Sequence, residues 1–195
     1  NYAVMPITES YELTVAQLEG TPITNLHTGE QFCLQLSGLV KENIQARDRG
    51  ARLIAAASAA FGGAFSCNSN KAEMAVGYAT FYGDICGAVA MIGDLWKHQV
   101  YALGHYLNDV IFKREVIPEE IFTIRPSAEL SETQTVGRGG DPLVYAYHDY
   151  LLRAFIENWH KTTPADVLRW YVSGTLAEEL GCTQQAIDEA CPTPA

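Results

Sequence analysis

Three charged side chains stand where elementary physics asks for a partner. Arg47 interrupts a helix face otherwise made of Val40, Ile44, Ala51, Ile54 and the small Ser58, with Asn43 one turn earlier on its side. An inward guanidinium needs an anion, which is either an internal carboxylate such as Glu42 or Asp48 or a bound ligand. Glu73 follows Asn70 by three residues at an expected helix start. Its carboxylate either closes a capping box on a backbone N–H or lies beside a strand end, where open α/β sheets gather ligands and an acid can hold Mg2+. Lys97 comes three residues after Asp94, the expected N-cap of the next helix. A cation there opposes the helix dipole by about 0.3–1 kcal/mol, so something negative should compensate, either Asp94 itself or a phosphate.

Other chemistries find little support. Asp48 and Arg52 at i and i+4 read as a solvated helix staple. His148 and Asp149 are adjacent on a helix and point apart, with no serine elbow to complete a triad. Gly137-Arg-Gly-Gly140 is not a dinucleotide fingerprint, and no G-x-x-x-x-G-K-[ST] occurs. Five cysteines without a C-x-x-C indicate neither a disulfide framework nor a zinc site, and a reducing cytoplasm is the expected home. Thirteen Lys and Arg against 23 Asp and Glu leave a formal charge of −10, which argues against nucleic acid as a partner. The longest apolar stretch, Leu53 to Phe65, covers 13 residues, short of the roughly 20 that cross a bilayer, so no membrane span is expected.

The elements that must position these residues follow from periodicity and punctuation. Tyr2 to Pro6 reads as a strand, Glu12 to Leu18 as a helical turn or two, and Thr21 to Gly29 as turns. Gln31 to Phe61 carries the strongest helical signal. Gly62-Gly63 stops it, Ala64 to Cys67 reads as a buried strand, and Asn70 opens a helix to about Phe81. Asp94 starts a helix to about Asn108 and Pro118 a short one; Ser127 to Gly140 reads as an exposed loop. Asp141-Pro142 and Thr163-Pro164 place a capping residue before a helix-starting proline, predicting helices near 142–160 and 164–173. Short helices at Leu176 to Leu180 and Gln184 to Ala190 complete the reading. Helices dominate two short strands, so the fold class is an incomplete α/β layer with a helical C-terminal part. Residues 1–195 are expected to form a single domain truncated at both ends.

Read together, "ENIQARDRG" (Glu42 to Gly50), "NKAEMAVGYATFYGD" (Asn70 to Asp84), "IGDLWKHQVYAL" (Ile92 to Leu103) and "IRPSAEL" (Ile124 to Leu130) resemble NAD+ synthetases, most closely the synthetase domain of the bacterial glutamine-dependent type. The resemblance implies a Rossmann-like adenine nucleotide alpha hydrolase (ATP pyrophosphatase) layer. It also implies a two-step amidation: the carboxylate of deamido-NAD+ attacks the α-phosphorus of ATP, and ammonia then displaces AMP. The resemblance gives Asn43 and Arg47 to deamido-NAD+, Glu73 to Mg2+ and the dinucleotide, Lys97 to the ATP phosphates, and Ser127 to ATP. Asn68 stands where the family usually has threonine and is assigned to the nucleotide; Asp84 ends a matching motif and is placed near the substrate. The implied partners are ATP, deamido-NAD+, an upstream glutaminase domain that supplies ammonia, and further copies in a homo-oligomer. The family's S-G-G-x-D-S pyrophosphate loop does not occur here, so the isolated chain is expected to be inactive.

Two alternatives stay open. The same nucleotide fold could serve another acceptor, as in synthetases that amidate a nucleobase or thiolate tRNA. The chain could also be a non-catalytic dimerisation module, with Trp159, Trp170 and Tyr171 as contact residues and two of the three expected in the core.

Overall fold

Ser37 starts the strongest helix of the chain, its hydroxyl accepting from the Val40 N–H at 3.3 Å. A computed structural model describes residues 2–127 and 141–192. The chain forms two units: residues 1–69 with 78–93, and residues 70–77 with 94–195.

In the first unit, α1 (Thr8–Leu18) precedes a hairpin of β1 (Pro22–Thr24) and β2 (Gln31–Cys33), paired antiparallel with Ile23 opposite Phe32. Helix α2 (Gly38–Arg47) passes without a break into a π-helical segment, Asp48–Ile54, and then α3 (Ala55–Ala60). Strands β3 (Ser66–Cys67) and β4 (Val89–Ala90) lie parallel, with Ser66 opposite Val89.

Several expectations change here. Tyr2 to Pro6 forms no strand, because a strand needs a partner for its N–H and C=O groups and none pairs with it among the described residues. The helical signal begins at Gly38 rather than Gln31, since Gln31–Cys33 are drawn into the hairpin. The buried residues are Ile44, Ala46, Asp48 and Gly50, which do not share one α-helical face, while Arg47 is exposed and Ile54 is 42% exposed. An α-helical stripe cannot be extrapolated through a π segment, whose i→i+5 bonds change the angle between successive side chains. That widened stretch also brings backbone to backbone. A Cβ at Gly50 would stand 2.1 Å from the Gly83 carbonyl oxygen, and one at Gly83 would meet Ala46 Cβ at 2.9 Å.

Asp48 is therefore no solvated staple. Its carboxylate is 8% exposed, accepts from Arg52 Nε at 2.5 Å and Nη2 at 2.8 Å, and takes the Ser10 hydroxyl of α1 at 2.6 Å.

The second unit opens with α4 (Lys71–Val76), which ends at Gly77 (φ 72°), short of the expected Phe81. Helix α5 (Lys97–Tyr106) continues into a π-helical segment, Leu107–Phe112, and α6 (Glu120–Thr123) follows. The chain then builds α7 (Tyr145–Ile156), α8 (Pro164–Ser173), α9 (Leu176–Leu180) and α10 (Gln184–Ala190). Thr163 and Asp166 cap α8 reciprocally, as the Thr-Pro signal predicted. Tyr147, Leu176, Ala186 and Ile187 form the buried core, with Val144, Leu151, Val167 and Trp170 packed against them. Burial pushes the Tyr147 phenol up to about 12. Only Trp170 of the three named aromatics joins this core; Trp159 is 93% exposed and Tyr171 is exposed.

The expected loop from Ser127 to Gly140 lies outside the described residues except for Ser127. All five cysteines are free, and two are exposed: Cys33 on β2 and Cys191 after α10. No helix among the described residues is long and apolar enough to cross a membrane.

Two predictions follow from the first unit. The Arg52 hydrogen bonds hold the Asp48 carboxyl below its ordinary 3.8, so its stabilisation is complete above that value and disappears as pH falls through the depressed one. Asp48→Asn should therefore flatten the acid limb of a thermal-midpoint profile between neutral pH and pH 3. Gly50→Ala should destabilise by about 1–3 kcal/mol through the clash with the Gly83 backbone, read as a lowered urea midpoint.

Candidate functional site

Lys97 is the first residue of α5, not its third. Asp94 is not the cap. Its carboxylate pairs with Lys71 Nζ at 2.7 Å, and the N-cap position falls to Trp96, whose N–H is accepted by Gln99 Oε1 at 3.0 Å. Trp96 is fully buried and donates its Nε1–H to Glu157 Oε1 at 2.9 Å. The same Glu157 oxygen takes Lys71 Nζ at 2.7 Å, which holds the Glu157 carboxyl below its ordinary value, while Asp94 first and Glu157 second hold the Lys71 ammonium above its own.

The first turn of α5 is tied to α7 by Asp149, which is fully buried. Its Oδ2 accepts both the His98 backbone N–H and the His98 ring Nδ1 at 2.9 Å, while Oδ1 is buried with no hydrogen-bond partner among the described residues. The helix N-terminus that was to attract phosphate has thus spent the His98 N–H on an internal carboxylate. What remains at that end is the Lys97 ammonium. Among the described residues no carboxylate pairs with it; it lies over the Tyr101 ring at 5.6 Å and the Tyr145 ring at 5.2 Å from the centroids. An aromatic face holds a cation while leaving its N–H groups for another acceptor.

Glu73 completes the capping box: the Asn70 side chain accepts from Glu73 N at 3.1 Å, and Glu73 Oε2 accepts from Asn70 N at 3.0 Å. The capping alternative is realised, yet the carboxylate has a second engagement. Glu73 Oε1 lies 3.1 Å from the Tyr145 hydroxyl, whose shorter contact is Asp141 Oδ2 at 2.7 Å. Lys97 and Glu73 therefore converge on Tyr145, on its ring and its hydroxyl respectively. Beside them opens a cavity of about 240 Å³, with Tyr101, Tyr145, Asp141, Phe122, Arg125 and Pro126 in its wall; Ser127 follows Pro126 and is half-buried. Burial first, then the two carboxylates, push the Tyr145 phenol far up, so the hydroxyl keeps its proton at neutral pH.

In the first unit, Asn43, Arg47 and Asp84 gather on one turn. Asn43 Oδ1 accepts from Thr80 Oγ1 at 2.6 Å, both Asp84 carboxylate oxygens accept from Thr80 N at 2.9 and 3.1 Å, and Arg47 Nε donates to Phe81 O at 3.2 Å. The Gly50–Gly83 approach presses that turn onto the helix. Arg47 thus meets a backbone carbonyl rather than an internal carboxylate, and its charge stays exposed. Asn68 Oδ1 accepts from Ser66 Oγ at 2.9 Å.

Sequence reasoning missed Tyr145, Asp141 and the role of Asp149. Tyr145 carried no signal, because aromatic residues on helices usually belong to the core. Asp141 was legible only as a cap, which it is not: α7 begins at Tyr145 rather than Pro142, with Val144 at its N-cap, and Asp141 accepts from Leu143 N at 2.8 Å in the turn before it.

Residues 3–181 match the family model for NAD synthase. The chain belongs to the NAD synthase family. The glutamine-dependent NAD(+) synthetase of Thermotoga maritima is 38% identical over 154 residues, 79% of this chain and 24% of that protein. That of Xanthomonas campestris pv. campestris is 44% identical over 107 residues, 55% of this chain and 19% of that protein. The chain thus spans about a quarter or less of these relatives' length. The solved NMN synthetase from Francisella tularensis superposes with a TM-score of 0.58 at 21% identity, covering 99% of this chain and 65% of that one. That likeness establishes a shared fold, the partial α/β architecture expected above.

Removing the acceptor at the start of α5 should be costly in this NAD synthase chain. Asp149→Ala is expected to lower stability by about 1–3 kcal/mol by orphaning the His98 donors, with Asp149→Asn losing less because it keeps an acceptor, measured by chemical denaturation.

Proposed function

We propose that the whole protein to which this chain belongs is a glutamine-dependent NAD+ synthetase, and that the chain supplies one side of its ligation site. The reading rests on the convergence of Lys97 and Glu73 on Tyr145 in a chain of this family. The substrates are ATP and deamido-NAD+, ammonia comes from a glutaminase portion of the same protein, and the reaction runs in the cytoplasm in a homo-oligomer.

The chemistry explains the residues. A carboxylate does not expel oxide when ammonia attacks, so the nicotinate carboxylate first displaces pyrophosphate from the α-phosphorus of ATP. Ammonia then adds to the acyl carbon of the mixed anhydride, AMP leaves, and the nitrogen loses a proton. Lys97 binds the phosphates through an ammonium that only aromatic faces hold among the described residues, and so counters the charge that accumulates as pyrophosphate departs. Asn43, Arg47 and Asp84 serve the dinucleotide: an exposed guanidinium anchored by one N–H retains its other donors for an anion. Asn68 and Ser127 contact ATP.

Glu73 fits Mg2+ on donor chemistry, since its hard carboxylate oxygens carry further lone pairs beyond the N–H and O–H contacts seen, and Asp141 stands on the same hydroxyl. Mg2+, when bound, offsets triphosphate charge.

The test is AMP formation by the whole protein from ATP, deamido-NAD+ and glutamine; absence of AMP would sink the reading. Lys97→Met should lower kcat/KM for ATP by about 10- to 100-fold, the worth of a charged hydrogen bond. Arg47→Ala should raise KM for deamido-NAD+ more than for ATP. Equal effects on both would instead favour a different acceptor on the same fold.

A further inference from the structure

Tyr145 touches both residues that the reading above gives to the triphosphate, and no sequence motif marks it. Its ring lies under the Lys97 ammonium, 5.2 Å from the centroid, and its hydroxyl reaches Asp141 Oδ2 at 2.7 Å and Glu73 Oε1 at 3.1 Å. A phenol has one proton to donate, and the shorter contact claims it. Asp141 is itself held by the Leu143 N–H. The ring plane is thereby pinned from the hydroxyl end, at the first residue of α7. The Glu73 oxygen it reaches is held by Asn70 Nδ2 at 2.6 Å, so what the tyrosine itself fixes is the aromatic face under the cation.

We propose that Tyr145 is a positioning residue for the ligation, its ring presenting the Lys97 ammonium to the ATP phosphates while its hydroxyl, donated to Asp141, fixes the ring plane. This inference rests on the functional reading above. The two ends of the side chain do separate jobs, so they can be removed separately. Tyr145→Phe keeps the aromatic face and releases Asp141, the anchor of the ring plane. Tyr145→Leu removes the face as well. Asp141→Ala keeps the whole tyrosine but unpins it.

The experiment uses the whole protein, with ATP affinity read by calorimetry and turnover by AMP formation. Tyr145→Phe should leave the ATP dissociation constant within about twofold and lower kcat about tenfold, as for a group that orients a ligand from behind. Asp141→Ala should reproduce that pattern, which keeps the test open if the leucine variant does not fold. Tyr145→Leu should add a loss of ATP affinity of about fivefold, the worth of a cation–π contact. Equal Phe and Leu phenotypes, or losses confined to thermal stability with kcat and ATP affinity unchanged, would overturn the inference. A wild-type protein that binds ATP and makes AMP while the variants behave alike refutes Tyr145 alone. A wild-type protein that makes no AMP refutes the functional reading and this inference with it.

Discussion

A buried carboxylate at the start of a helix decides the layout of the second unit. Asp149 has no access to solvent and gives one oxygen to two donors of His98, one from the backbone and one from the ring. Four N–H groups at a helix start have no partner within the helix, and a buried start must find them elsewhere. Because Asp149 on α7 answers that demand, the first turn of α5 cannot rotate or slide without orphaning a buried charge. Lys97, one residue before His98, inherits that fixity. So does the geometry of Trp96, whose indole N–H meets Glu157 at the other end of α7.

The first unit is fixed by contact of a different kind. No side chain separates Gly50 from Gly83, and the peptide planes themselves meet. The turn from Thr80 to Asp84 is thereby held against the helix that carries Asn43 and Arg47, and Thr80 spends its hydroxyl and its N–H on two of the residues concerned. In both units, then, polar side chains with apparent chemical potential are oriented by groups with none: glycines, a buried tryptophan, an aromatic ring.

Much of this was legible beforehand. Caps made by proline and threonine located α8 and fixed its start, and Gly62-Gly63 located the end of α3, whereas Gly77 ends α4 short of the expected Phe81. Local sequence rules work where the decisive contacts are local. The same rules failed at Asp94, because its competitor for the cap, Gln99, offered a neutral acceptor from inside the helix while Lys71 claimed the aspartate. They failed at Arg47, which ends α2 on its exposed side and gives its Nε–H to the Phe81 carbonyl, a partner 34 residues away. Asp48 looked like a surface staple since its second partner, Ser10, comes from 38 residues away. The candidate site divides along the same line. Glu73 and Lys97 were readable from type and spacing, whereas the tyrosine on which they meet lies 72 residues from Glu73, beyond any periodicity.

The placement of the thiols has a practical consequence. The two exposed cysteines, Cys33 and Cys191, fall one in each unit, and accessible thiols are alkylated ahead of sheltered ones. A maleimide dye would therefore mark each unit at one accessible thiol, on β2 and beyond α10, with no residue gathered on Thr80 or on Tyr145 replaced.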